Sequence, residues 1–80
     1  MAELVEYEGH KSKGHWNVSL WINNEEHLYV MGQVALAING WKRRPAARTM
    51  AYNLRRQNIW RTPDGFKYTV DRIYEALDYT

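Results

Sequence analysis

A chain of 80 residues with a net charge of +2 is one small domain, and at this length folding buries only about 60–65% of the surface the unfolded chain exposes. The absence of cysteine excludes a disulfide framework and a thiolate zinc site and suits a reducing cytoplasm. No charged-then-apolar leader opens the sequence and no apolar run approaches the roughly 18 residues of a membrane span, so the expectation is a soluble, intracellular protein with no membrane partner.

Burial of four Trp, six Tyr and one Phe is left as the means of stabilising the fold. In chain order, Glu3 to Tyr7 reads as a short strand and Gly9 to Gly14, "GHKSKG", as a polar turn. "WNVSLWI" follows, in which Trp16, Val18, Leu20 and Ile22 alternate with Asn17, Ser19 and Trp21, the period-two pattern of a half-buried strand. A hairpin with Glu3 to Tyr7 would pair it; the alternative is an extended N-terminal arm on a helical core, because two strands alone are marginal in water.

Asn23 or Asn24 suits a helix N-cap, with Glu25 and Glu26 in a first turn whose dipole favours negative charge. Leu28, Met31, Val34, Ala35 and Ile38 make a core-facing stripe, and Asn39-Gly40 a stop. Pro45 suits the first position of a second helix. There Ala46, Ala47, Met50, Ala51 and Leu54 share an apolar face, opposite Arg48, Tyr52 and Arg55, and the helix should end near Gln57 or Asn58. Ile59 and Trp60 read as core plugs. Thr62-Pro63-Asp64-Gly65 reads as a tight turn, Phe66-Lys67-Tyr68 as a short extended segment, and Thr69 as the cap of a third helix with Val70, Ile73, Tyr74 and Leu77 on its apolar stripe.

The fold class expected is therefore mainly α with an α+β character: a short N-terminal β-hairpin or extended arm over residues 1–23, then a three-helix, helix-turn-helix-like core over residues 24–80. There is no internal repeat, low-complexity tract or interdomain linker.

Charge divides the chain. Residues 1–40 carry a net −3 and residues 41–80 a net +5; from Trp41 to Lys67 eight basic residues face Asp64 alone, a net +7. Such asymmetry bears on partners rather than on fold and points to a polyanion or an acidic protein surface. Lys42, Arg43, Arg44, Arg48, Arg55, Arg56, Arg61 and Lys67, interleaved with Trp41, Tyr52 and Trp60, combine phosphate neutralisation with stacking or cation–π surfaces. A plain solvated basic face over a core holding the aromatics is the competing reading, and for Trp60 a core position is expected because Trp is usually well buried.

Nothing in the sequence asks for an enzyme, a metal or a cofactor. His10, His15 and His27 match no zinc spacing and read as loop or surface residues, Ser12 and Ser19 lie in no nucleophile elbow, and the glycines form no phosphate-cradling loop. Glu25-Glu26 beside His27 is what a helix N-terminus favours in any case.

"ARTMAYNLRRQNIWRTPDGFKYTVDRIYEAL", Ala47 to Leu77, resembles the helix-turn-helix-like segment of the large serine recombinases, with matching positions at Leu54, Asn58, Ile59, Thr62, Pro63, Gly65, Tyr68, Thr69, Val70 and Ile73. The resemblance implies a DNA-contacting segment. "HWNVSLWINNEEHLY", with the downstream TPDG turn, is similar to small proteins of tailed bacteriophages and implies a phage or prophage origin. One departure from DNA readers stands out: the helix that would enter the major groove carries Asp71, Glu75 and Asp78 against Arg72 alone. Phosphate contact is therefore expected from the preceding helix and loops.

The functional expectation is a small phage-type accessory protein that binds nucleic acid electrostatically through Lys42, Arg43, Arg44, Arg48, Tyr52, Arg55, Arg56, Arg61 and Lys67. The alternative is an inhibitor that meets an acidic surface of a host complex, such as a CRISPR or other defence nuclease or RNA polymerase, through the same residues. A homodimer, through the N-terminal strand as an exposed edge, is a further arrangement the sequence allows.

Overall fold

The structure, a computed structural model, describes residues 10–78. Four helices succeed one another: α1 (Lys13–Asn24), α2 (Glu26–Ile38), α3 (Arg43–Arg56) and α4 (Val70–Leu77). Among the described residues there is no strand, only an isolated antiparallel bridge between Arg61 and Lys67, and no helix is long and apolar enough to cross a membrane. The mainly helical expectation holds and its β part does not. The supposed strand Glu3 to Tyr7 lies outside the described residues.

The largest correction is α1, which occupies the segment expected to be a strand or arm and adds a fourth helix to the expected three. Ser12 sits in extended backbone and its hydroxyl oxygen accepts from the His15 N–H at 3.2 Å, a side-chain N-cap. Read at helical spacing, Gly14, Asn17, Val18, Trp21 and Ile22 fall at i, i+3, i+4, i+7 and i+8, and this is the face that packs inward. The alternation of Trp16, Val18, Leu20 and Ile22 hid it because two members of the true stripe are Gly and Asn. Leu20, expected inside, is exposed. Gly14 is needed for close approach: the Arg72 guanidinium passes 2.5 Å from where a Cβ would stand.

The break between α1 and α2 is one residue long. Glu25 turns to an extended conformation and caps α2, its carboxylate accepting from the Leu28 N–H at 3.0 Å. Asn23 and Asn24, the expected caps, instead bond back into α1, donating to the carbonyls of Ser19 and Leu20. Asn23 also reaches the Ala76 carbonyl at 3.2 Å, which ties α1 to α4.

α2 is rotated from its expected register. Leu28, Gly32, Ala35 and Leu36 are buried and Met31 is partly so, whereas Val34 and Ile38 face solvent together with Val30. Gly32 explains the rotation, since a Cβ there would sit 3.1 Å from Leu77, and its absence lets α2 close onto α3 and α4. Asn39 and Gly40 end the helix as expected, with Gly40 at φ 67 and Trp41 at φ 65.

In α3 the expected apolar face is the observed one: Ala46, Ala47, Met50, Ala51 and Leu54 are all buried. The helix begins at Arg43, so Pro45 lies within the first turn, where no intrahelical N–H is required. Thr69 caps α4 as expected, accepting from the Arg72 N–H at 3.2 Å. Thr69→Ala should lower stability by about 1 kcal/mol in denaturant unfolding, a typical loss for a removed N-cap.

Helix contacts run α1 to α2, α2 to α3, α3 to α4 and α4 back to α1, closing a ring. Val18 and Ile22 of α1, Met50 and Leu54 of α3, and Ile73 of α4 are its fully buried large side chains. The connection over residues 57–69 is far longer than the three- to four-residue turn of an ordinary helix-turn-helix. It is nonetheless ordered. The Gly65 N–H donates to the Thr62 carbonyl at 2.8 Å, with Gly65 at φ 96, and the Tyr68 N–H donates to the Trp60 carbonyl at 3.1 Å. Tyr68 is buried there, and its phenol is pushed up to about 12 by burial, with Glu25 adding to the shift.

Asp64 pins this connection to α1 by accepting from the Asn17 amide and the Trp21 indole N–H, each at 2.9 Å. Those bonds, the Asn17 one foremost, hold its carboxyl below the ordinary 3.8. A depressed folded value means that the contribution is present above the unfolded value and lost as pH falls through the folded one. Melting curves of wild type and Asp64→Asn should therefore differ at pH 6 and converge as pH drops through the carboxylate range.

Candidate nucleic-acid interface

The nine residues expected to form a binding site divide into two groups. Arg43 and Arg44 occupy the first turn of α3, where the helix dipole disfavours cations. The fold compensates by bringing the acidic helix α4 beside them. Arg43 donates to the Tyr74 carbonyl at 3.3 Å and to its phenol oxygen at 3.2 Å, and lies 3.3 Å from Asp78. Both guanidinium groups stand over the Tyr74 ring, at 4.2 and 4.0 Å from its centroid, and Arg44 lies 4.0 Å from Asp71.

The same acidic helix collects the N-terminal end of α1. His10 lies 2.6 Å from Glu75, and His15 donates from Nε2 to Asp71 at 2.9 Å while its Nδ1 meets the Ser12 hydroxyl at 2.8 Å. Lys11 reaches Asp71 at 3.4 Å. Bonds from His15 first and Lys11 second hold the Asp71 carboxyl below its ordinary value. His10 and His15, read from sequence as loop or surface residues, have side chains only 7% and 13% exposed. Two carboxylates of an adjacent helix draw them in, a long-range pairing that no local pattern signals. The departure from DNA readers thus has a structural reason: Asp71 and Asp78 are engaged by this chain's own cations, and Glu75 by the His10 ring and the Lys11 backbone N–H.

The second group is turned to solvent. On α3, Arg48, Arg55, Tyr52 and Arg56 occupy one arc opposite the buried alanines, and all four are exposed. Lys42, which precedes the helix without capping it through its side chain, is exposed as well. Tyr52 is 58% exposed with the Arg56 guanidinium 5.8 Å from its ring centroid. Trp60, expected in the core, is 56% exposed, and Arg55 stands 5.7 Å from its ring. Ile59 does pack on the core, and in this connection the next residue points outward. Arg61 donates to the Gly65 carbonyl at 3.0 Å, and Lys67 pairs with it in the isolated bridge. Among the described residues no carboxylate lies within ion-pair distance of Arg48, Arg55, Arg56, Arg61 or Lys67.

The outer arc of α3 and the connection after it thus carry five cations and two exposed rings, with Arg55 and Arg56 in the last turn of α3, where the dipole favours them, and Lys42 apart at the opposite end of the helix. Arg55, Trp60 and Lys67 also border a depression of about 180 Å³ whose remaining walls are Ala51, Ile59, Tyr68, Thr69 and Val70. A second depression of the same volume lies in the ion-paired cluster, among Lys11, His15, Arg43, Arg44, Asp71, Tyr74 and Glu75, and its charges are largely matched internally. No group of three metal-ligating side chains is gathered among the described residues.

Fold and surface together define, among the described residues, a small helical domain of four packed helices with a basic, aromatic-bearing surface. The chain belongs to the DUF7249 family, a family of unknown function whose model matches residues 3–77. No curated protein and no solved structure matches it.

Proposed function

We propose that this domain binds nucleic acid through the solvent-facing arc of α3 and the connection that follows it, with Arg48, Arg55, Arg56, Arg61 and Lys67 meeting phosphates and Tyr52 and Trp60 flanking them. The observation that carries this reading is the sorting of the arginines. Arg43 and Arg44 are matched by Asp71, Asp78 and Tyr74, while the five cations beyond them have no carboxylate partner among the described residues. Unmatched, exposed cations on one face form a positive surface whose binding releases counterions from a polyanion. α4 is not the reading element here, because its acidic side faces the α1 terminus and the start of α3. Anisotropy of a labelled oligonucleotide tests the proposal: binding near 50 mM salt that weakens steeply toward 200 mM is expected, and no binding at low salt refutes it.

The second reading is a protein partner with an acidic surface, such as the host nuclease complex or RNA polymerase that a phage origin implies. Exposure of Tyr52 and Trp60 supports it, since such rings anchor interfaces when a partner buries them. An acidic partner that stays bound after nuclease treatment, and is released by Arg48→Ala with Arg55→Ala, would favour this reading over the first.

A further inference from the structure

We infer that the depression beside Trp60 is a stacking site for one unpaired base, so that the nucleic acid taken by this face is single-stranded. The inference rests on the nucleic-acid reading above and narrows it.

The Trp60 ring is exposed yet held. Its indole N–H donates to the Asn58 side-chain oxygen at 3.1 Å, and Asn58 is itself fixed in the left-handed region at φ 65. The Trp60 carbonyl accepts from the Tyr68 N–H, and the neighbouring Arg61 is bridged to Lys67, so the backbone beneath the ring is tied on both sides. An aromatic ring held in solvent, with its N–H already satisfied and the Arg55 guanidinium 5.7 Å from its centroid over one face, offers its other face rather than its polar edge.

The surroundings suit a nucleotide. Ala51, Ile59 and Val70 contribute apolar wall to the depression, while Arg55 and Lys67 stand at its border as phosphate partners. Its volume of about 180 Å³ is more than ten times the ~15 Å³ that admits one water, which leaves room for a flat ring. In a duplex the base faces are stacked on one another and only their edges reach the grooves. A ring that presents a face can engage only a base that has left the stack, as on the platforms of single-strand binders. Tyr52, next in sequence to Ala51 of the depression wall, is a second exposed ring, with the Arg56 guanidinium over one of its faces.

The test is anisotropy with a labelled oligothymidylate, a duplex of the same length and, as competitor, free thymidine monophosphate. The single strand should bind more tightly than the duplex. Trp60→Ala, at an exposed position that leaves the helical circular dichroism intact, should weaken the single strand by about 5- to 150-fold, the range of one lost base stack. The duplex affinity and the salt slope should barely move, because no charge is removed. Equal affinity for strand and duplex, or an unchanged single-strand affinity in Trp60→Ala, overturns the stacking site while the basic face stands. Free thymidine monophosphate competing as well as the oligonucleotide would make the ligand a mononucleotide and overturn the assignment to a strand. Failure of both nucleic acids to bind at low salt removes the nucleic-acid reading itself.

Discussion

Ile73→Ala is expected to destabilise the domain by about 2–5 kcal/mol, the cost of removing a large aliphatic side chain from a packed core. Ile73 is fully buried on α4, a helix of only eight residues that packs on both α1 and α3. A helix so short is not stable by itself in water, so it persists through what its inner face buries. A domain of this size has a total stability of about 4–12 kcal/mol, and the loss takes a large share of it. Urea unfolding should show the midpoint falling sharply, with weaker protection of the α4 amides. Ile38→Ala is the matched control. Ile38 lies on the stripe that simple periodicity assigns to the core, yet it is 67% exposed, and its replacement should change stability by no more than about 0.5 kcal/mol. A large loss at Ile38 or a small one at Ile73 would contradict the packing described.

The second large effect concerns binding. Replacing Arg48 and Arg55 together by Ala should weaken single-strand affinity roughly 25-fold at 0.1 M salt, because each lost phosphate contact removes about 0.7 from the logarithmic salt dependence. The loss should be uniform across sequences, as expected for contacts to phosphate rather than to base edges. Arg44→Ala should have a far smaller effect on binding, since that guanidinium already stands over Tyr74 and near Asp71. A merely solvated basic face would show no such contrast between the two variants. Anisotropy of one labelled oligonucleotide with each variant measures it.

Some of this was legible in residue order, and the reasons are local. α3 showed its buried face because Ala46, Ala47, Met50, Ala51 and Leu54 are all apolar, and Thr69 and Gly65 announced a cap and a turn through chemistry that acts within four residues. α1 did not, because its inner face carries Gly14 and Asn17, whose burial depends on Arg72 and Asp64 far along the chain. The register of α2 was hidden for the same kind of reason, since Gly32 is buried for the closeness it permits against Leu77.

The candidate site was half legible. Composition located the cations between Lys42 and Lys67, and helical spacing placed Arg48, Tyr52 and Arg55 on one side of α3. What residue order could not show was which arginines the fold would neutralise. That is decided by α4 bringing Asp71, Tyr74 and Asp78 to the start of α3. Nor could it show that Trp60 faces outward, a consequence of the bridge and the Asn58 conformation around it.

If five cations of α3 and the connection after it hold a polyanion, the salt dependence of binding reports their number. A plot of the logarithm of the single-strand association constant against that of salt concentration should be linear with a slope of about −3.5 for the wild type, from five phosphate contacts, and about −2 for the variant lacking Arg48 and Arg55. A wild-type slope near zero, or one that the double substitution leaves unchanged, would contradict the account.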